Sequence, residues 1–250
     1  RGDGGGRIQC RDLPGGIVKG RSFARTIYPD PALRSYTDID LLVAPSAVAP
    51  VEAILTRHGF KLAEDDHDPE RLEAKWMHTE NVALLVEVHT NMVHHPGLRK
   101  AMSLAYDDLE GAFEMPGAQL AIATMHGALH QYERLQQVVD ICQAARATAT
   151  PAEEERFLRI ATRSGGRLGA VVGLELAHRI YREQRCGEIA RALRPERFAD
   201  VSRWLITPAV VSATKGEERS LYSWRRKAFR DLLKRTRGRR AGDARSRDAT

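Results

Sequence analysis

Seven residues, Thr37-Asp38-Ile39-Asp40-Leu41-Leu42-Val43, constrain this chain more than any other stretch. Successive side chains on a β-strand point to opposite faces, so Ile39, Leu41 and Val43 share one face and Asp38 and Asp40 the other. That alternation predicts a half-buried strand. The chain must therefore build a sheet with one face in a core, and the open face carries two carboxylates.

The neighbouring segments supply the rest of such a sheet. The run from Gly15 to Gly20 reads as a turn and a short strand, and residues 21–28 as a helix that Pro29 and Pro31 end. Residues 47–58 have helical spacing through Val48, Val51, Ile54 and Leu55, with Pro50 tolerated in the first turn and Gly59 as the stop. After an acidic loop over 64–73, strands over 74–78 and 82–90 are joined by a turn at 79–81 and read as a hairpin.

From Leu120 the period lengthens, and helices are predicted over 120–147, 152–163, 168–185 and 188–193. Thr150-Pro151, the 164–167 segment and Cys186-Gly187 punctuate them. The expected fold is α+β, a mixed β-sheet core with flanking helices followed by a C-terminal helical bundle. The expected segments are a flexible, glycine-rich 1–14, a core over 15–115, a helical domain over 116–214 and a basic, partly disordered tail over 215–250.

Composition removes several function classes. Of the 250 residues 42% are hydrophobic and 29% charged, as in ordinary globular proteins. No stretch reaches the roughly 20 apolar residues of a membrane helix, so no membrane partner is expected and the cytoplasm is the default compartment. Cys10, Cys142 and Cys186 are odd in number and in no CxxC pairing, which predicts reduced thiols and neither a disulfide framework nor a zinc knuckle. The net charge of +6 belongs to the end of the chain, since residues 215–250 carry 13 Lys or Arg against 5 Asp or Glu. Such a tail is ordinarily a solvated extension, and nucleic acid is a partner it permits without favouring.

Two aspartates one residue apart on a strand project from one face with side-chain origins about 7 Å apart. Their oxygens can share hydrated divalent cations. Upstream, Gly20, Arg21 and Ser22 occupy a strand-to-helix junction, where backbone N–H groups favour phosphate. Downstream, Glu87 lies between Val86 and Val88, so a third acid points away from an apolar face.

In this combination the chain resembles a known family. Lys19-Gly20, Tyr28-Pro29-Asp30-Pro31, Leu33-Arg34, Asp38 to Val43, Gly59-Phe60 and Val86-Glu87-Val88-His89 are similar to the bacterial family of uncharacterised nucleotidyltransferases, within the DNA polymerase beta-like nucleotidyltransferase superfamily. His126, His130, Arg134-Leu135 and Val139-Asp140-Ile141 resemble its helical part, so the likeness spans roughly residues 15–180. Ser35-Tyr36-Thr37 is bulkier than the run usual before the paired aspartates.

The resemblance implies a nucleotidyltransferase core with Asp38 and Asp40 as paired ligands of Mg²⁺ or Mn²⁺ and Glu87 as the third carboxylate. It implies transfer of a nucleoside monophosphate from an NTP to a hydroxyl on a small molecule, sugar or protein. Two metals about 3.5–4 Å apart would neutralise the triphosphate, and Lys19, Gly20, Ser22 and Arg34 are candidates to bind the nucleotide. Alternatives are glycosyl transfer from a nucleotide sugar at the same site, an RNA or other nucleic-acid-binding protein using the basic tail, and a non-catalytic nucleotide-binding protein.

Of nine histidines, His89 lies two residues beyond Glu87 on the same strand face and is expected beside the site. His126 and His130 stand four apart on a helix, but Gly127 replaces the glutamate of an HExxH hydrolase, so they are expected to pack or line the cleft. Asp140 is expected to make a structural pair with Arg134. Trp76, Trp204 and Trp224 are expected to be dispersed and to serve packing.

Overall fold

The computed structural model describes residues 13–63, 72–109, 111–193, 197–213 and 222–236. Cys10, most of the N-terminal segment, most of the acidic loop and the end of the basic tail lie outside the described residues.

Five strands form one mixed sheet in the order β1-β2-β5-β4-β3: β1 (Gly15–Val18), β2 (Asp38–Val43), β3 (Phe60–Leu62), β4 (Glu73–His78) and β5 (Leu85–His89). The β2–β5 pair is parallel and the other pairings are antiparallel. Helix α1 (Gly20–Thr26) follows β1, and α2 (Val48–Arg57) lies between β2 and β3. The predicted hairpin is β4–β5, with a longer connection than the turn read from the sequence.

The two sheet faces have different cores. Ile39, Leu41 and Val43 of β2 and Val86 and Val88 of β5 pack with Trp76 against Val51 and Leu55 of α2. Val18, Phe23 and Leu42 join a larger cluster on the other face that continues into the helical half. Asp38, Asp40, Glu87 and His89 therefore sit on the bundle side, in a face that the helices cover. The register that the alternation predicted holds: a shift of one residue would have buried Glu87 among the valines.

The helical half comprises α3 (Pro96–Arg99), α4 (Pro116–Leu129), α5 (Leu135–Ala147), α6 (Pro151–Arg163), α7 (Arg167–Tyr181), α8 (Gln184–Leu193), α9 (Ala199–Leu205), α10 (Pro208–Ser212) and α11 (Ser223–Arg235). Helix α4 is buried nearly all round, as expected of a helix enclosed by others. No helix among the described residues is long and apolar enough to cross a membrane.

Four sequence expectations need correction. The single helix over 120–147 is two helices, because Gln131 and Tyr132 take left-handed backbone angles, φ +50° and +55°. This turn drives the Tyr132 ring into the core, where its hydroxyl donates to the Gly169 carbonyl. A Cβ on Gly127 would stand 2.6 Å from that ring, so the residue that spoils an HExxH motif makes room for Tyr132. Second, Cys186-Gly187 does not interrupt a helix but lies inside α8, where Cys186 is buried as a free thiol.

Third, α11 lies within the stretch read as a basic tail, and its Phe229 and Leu233 are fully buried. Its Arg226 donates to the Val210 carbonyl at 2.6 Å. Three apolar-facing positions among so many cations gave too weak a period to read. Fourth, Trp76 is core, but Trp204 and Trp224 meet at a centroid distance of 5.7 Å, 59% and 51% exposed, with the Arg225 guanidinium over both rings.

Candidate active site

Strand register assembles the acidic wall. The parallel ladder sets Asp40 opposite Glu87 and Leu42 opposite His89, and aligned residues on adjacent strands are about 4.8 Å apart. On the other side β1 ends with Val18 opposite Asp40, which delivers the next residue, Lys19, to that carboxylate. Lys19 Nζ lies 2.6 Å from Asp40 Oδ1. His89 Nε2 donates to the same oxygen at 3.1 Å and stands 3.7 Å from Glu87 Oε2.

An outer ring comes from β4. Glu73 Oε2 is 3.1 Å from His94 Nδ1 and 4.0 Å from His89 Nδ1, and Lys75 Nζ is 3.3 Å from Glu73 Oε1 and 3.7 Å from Glu87 Oε1. Glu73 therefore belongs to a strand and not to the expected acidic loop, and Lys75 is a site residue that the sequence motifs do not single out. The signal that finds both is the alternation of Glu73 and Lys75 with Ala74 and Trp76, which pack on the opposite face.

The two inner acids are tuned in opposite directions. Burial alone would raise Asp40, but the His89 hydrogen bond and the Lys19 charge outweigh it and hold the carboxyl below its ordinary range. Burial raises Glu87, the charges of Asp40 and Glu73 add to the rise, and His89 and Lys75 offset only part of it.

The helical wall faces this set. Tyr28 Oη donates to Asp140 Oδ1 at 2.6 Å, and the Arg34 guanidinium binds Asp140 at both oxygens, at 2.8 and 2.9 Å. Gln136 Nε2 donates to Tyr28 Oη at 2.7 Å and to Asp140 Oδ1 at 3.2 Å. Asp140 thus pairs with Arg34, 106 residues away, where the sequence suggested Arg134. Burial, with the Asp140 charge and hydrogen bond, pushes the Tyr28 phenol far above its ordinary range. The His126 and His130 rings meet edge to face at 4.7 Å. Burial, reinforced by the Lys19 charge, keeps His126 well below its ordinary range and so neutral near pH 7.

Between the walls lies a cavity of about 530 Å³, a size that suits a small-molecule ligand. Lys19, Gly20, Arg34, Asp38, Asp40, Glu87, His89, His126 and His130 all line it. Ser22 does not: it is buried, and its hydroxyl accepts from Gln119 Nε2 at 3.0 Å. Glu80, a third acid of the hairpin, is exposed on the β4–β5 connection, outside the lining.

A family model described as an uncharacterised nucleotidyltransferase matches residues 9–182. The chain belongs to this nucleotidyltransferase family. The match covers the whole sheet and the helical wall of the cleft through α7. No curated protein and no solved structure matches the chain.

A nucleotidyltransferase site of this kind would need to hold a divalent cation, and the residues fit one. Asp40, Glu87 and His89 each offer a ligand atom, all within 4.8 Å of one another. Two carboxylates and an imidazole suit a divalent ion. His89 Nδ1 is buried without a hydrogen-bond partner. Asp38 occupies the same face of β2 but is not part of this triad.

Proposed function

We propose that this protein is a metal-dependent nucleotidyltransferase that moves a nucleoside monophosphate from an NTP to a hydroxyl-bearing acceptor. The observation that carries the reading is the Asp40–Glu87–His89 cluster in a cleft whose other wall supplies an anchored guanidinium, in a chain of this family. Mg²⁺ or Mn²⁺, when bound, neutralises triphosphate charge and favours an ionised acceptor hydroxyl.

The protein's own groups divide the remaining work. Asp40, ionised at neutral pH, and His89 form the floor of the cation site, and Asp38 adds a carboxylate on the same strand face. Glu87, whose carboxyl is the more basic of the inner pair, draws the acceptor's proton toward its oxygens. Arg34 presents a fixed positive charge: Asp140 holds Nε and Nη2, and Nη1 donates to the Ser35 carbonyl. Lys19 supplies a second cation for the phosphates, and Gly20 keeps the backbone low beside them.

The test is incubation with each of the four NTPs and Mg²⁺ or Mn²⁺ in a host extract, reading pyrophosphate release and any product heavier by one nucleoside monophosphate. Pyrophosphate and such a product are expected, and both require the divalent ion. Glu87→Gln should keep fold and nucleotide binding and lose most turnover. Sugar transfer from a nucleotide sugar, with no pyrophosphate from any NTP, would overturn the proposal.

A further inference from the structure

Lys19 stands where the cleft needs a cation. Its backbone takes φ +57° and ψ −151°, a region that residues with a side chain avoid. No capping bond from its side chain to α1 accounts for this. Gly20, at φ +23°, leaves no slack, because a Cβ there would stand 3.1 Å from Tyr36 Cβ. The turn therefore holds the Lys19 backbone, and only the flexible stem can move.

That strained position delivers the ammonium to one oxygen. Lys19 Nζ is 2.6 Å from Asp40 Oδ1, the oxygen that His89 also contacts, and the Lys19 side chain is only 14% exposed. Asp40 is also a member of the cation-binding triad. A lysine ammonium and a divalent ion about 4 Å apart repel by a factor of about thirty in binding even at the dielectric constant of water. Both cannot hold Asp40 at full strength.

The other cations of the cleft are placed differently. Arg34 is clamped on Asp140, which lies outside the triad, and Lys75 stands farther away, 3.7 Å from Glu87. Among the described residues, Lys19 is the lysine or arginine within hydrogen-bonding distance of an acid of the triad.

Building on the nucleotidyltransferase reading, we propose that Lys19 is the exchangeable counter-ion of the site. It neutralises Asp40 before loading, yields that carboxylate to the divalent cation, and turns its freed ammonium onto the triphosphate. Metal and triphosphate are then coupled through one side chain. The metal frees the phosphate ligand, and the phosphate keeps the ammonium from competing for Asp40.

The variant Lys19→Met keeps the aliphatic stem and removes the charge, and Lys19→Arg keeps the charge. Calorimetry first titrates MnCl₂ alone into each protein, then tripolyphosphate into the Mn²⁺-loaded protein, which isolates phosphate recognition from the base. Lys19→Met should bind Mn²⁺ about tenfold more tightly than the wild type and tripolyphosphate at least about tenfold more weakly. Lys19→Arg should stay nearer the wild type in both. A merely structural lysine would move both affinities downward together.

Asp40→Asn is the control that separates the two ideas. If Asp40→Asn abolishes Mn²⁺ binding while Lys19→Met binds Mn²⁺ no more tightly than the wild type, the counter-ion role is overturned and the metal site stands. If the wild type and Lys19→Met both bind no Mn²⁺, both ideas fall together.

Discussion

Two buried aspartates line the same cleft and are partnered in opposite ways. Asp140 on α5 is saturated: a guanidinium grips both oxygens while a phenol and an amide donate to one of them. Asp40 on β2 has its contacts on a single oxygen, from a lysine on a long stem and from a histidine that also faces Glu87. Burial is nearly equal, 1% against 4% exposed. Burial alone therefore does not separate a structural acid from one proposed to bind the cation. What separates them is where the partners sit: on both oxygens of Asp140, and on a single oxygen of Asp40, as the proposed exchange requires.

The Asp140 network is also a tether. Tyr28 and Arg34 flank the turn between α1 and β2, and Asp140 and Gln136 belong to α5, so these bonds fasten the segment preceding Asp38 to the helical half. Removing one member of a buried pair typically costs about 3–5 kcal/mol, because the other charge is left uncompensated. Asp140→Ala should cause a loss of that order in urea or thermal unfolding, since the Arg34 side chain is only 11% exposed. Arg34→Met in the same background should recover part of it, which a double-mutant cycle measures. A loss below about 1 kcal/mol would erase the contrast between the two acids.

Asp40→Asn should show the reverse pattern. Partners outside the first ligand shell already cost 10–100-fold on removal, so loss of a ligand should lower turnover at least about 100-fold. The midpoint of unfolding should move far less than for Asp140→Ala, because asparagine keeps the side chain's volume and an oxygen that still accepts from Lys19 and His89, whereas alanine removes every contact of Asp140. A parallel collapse of stability would show that Asp40 is a structural acid as well.

The two walls also differ in how much of them the sequence contains. The sheet wall was legible because alternation is local: Asp40 and Glu87 each sit between apolar neighbours that pack on the far face, and Asp38 and His89 continue the same alternation. The helical wall was not. The Arg34–Asp140 pair joins residues 106 apart, and nothing local favours Arg34 over Arg134. The break at 130–134 was hidden because Leu135 and Val138 continue an apolar period, while the turn is imposed by Tyr132 seeking space beside Gly127 and Gly173. Ser22 has the residue type of a phosphate ligand, and only its bond to Gln119 in α4 shows that it faces inward.

On stability, Glu87 gives the smallest effect and the sharpest distinction from Asp40. In chelated, metal-free protein its carboxyl lies above the ordinary 4.5, raised by burial and by the charges of Asp40 and Glu73. The folded state therefore binds the Glu87 proton more tightly than the unfolded state does. Its contribution to stability is present below about pH 4.5 and is lost as pH rises through the folded value. Asp40 has the opposite sign: its carboxyl is lowered from 3.8, so its contribution is present above that value and is lost as pH falls through the lower folded one. Glu87→Gln removes the first dependence and leaves the second. With chelator present, the variant should match or fall slightly below the wild type at pH 4 and become relatively more stable as pH rises toward 8, read by urea unfolding at each pH. A constant difference across that range would mean that Glu87 ionises without cost in the folded protein, and the opposite tuning of the two inner acids would be lost.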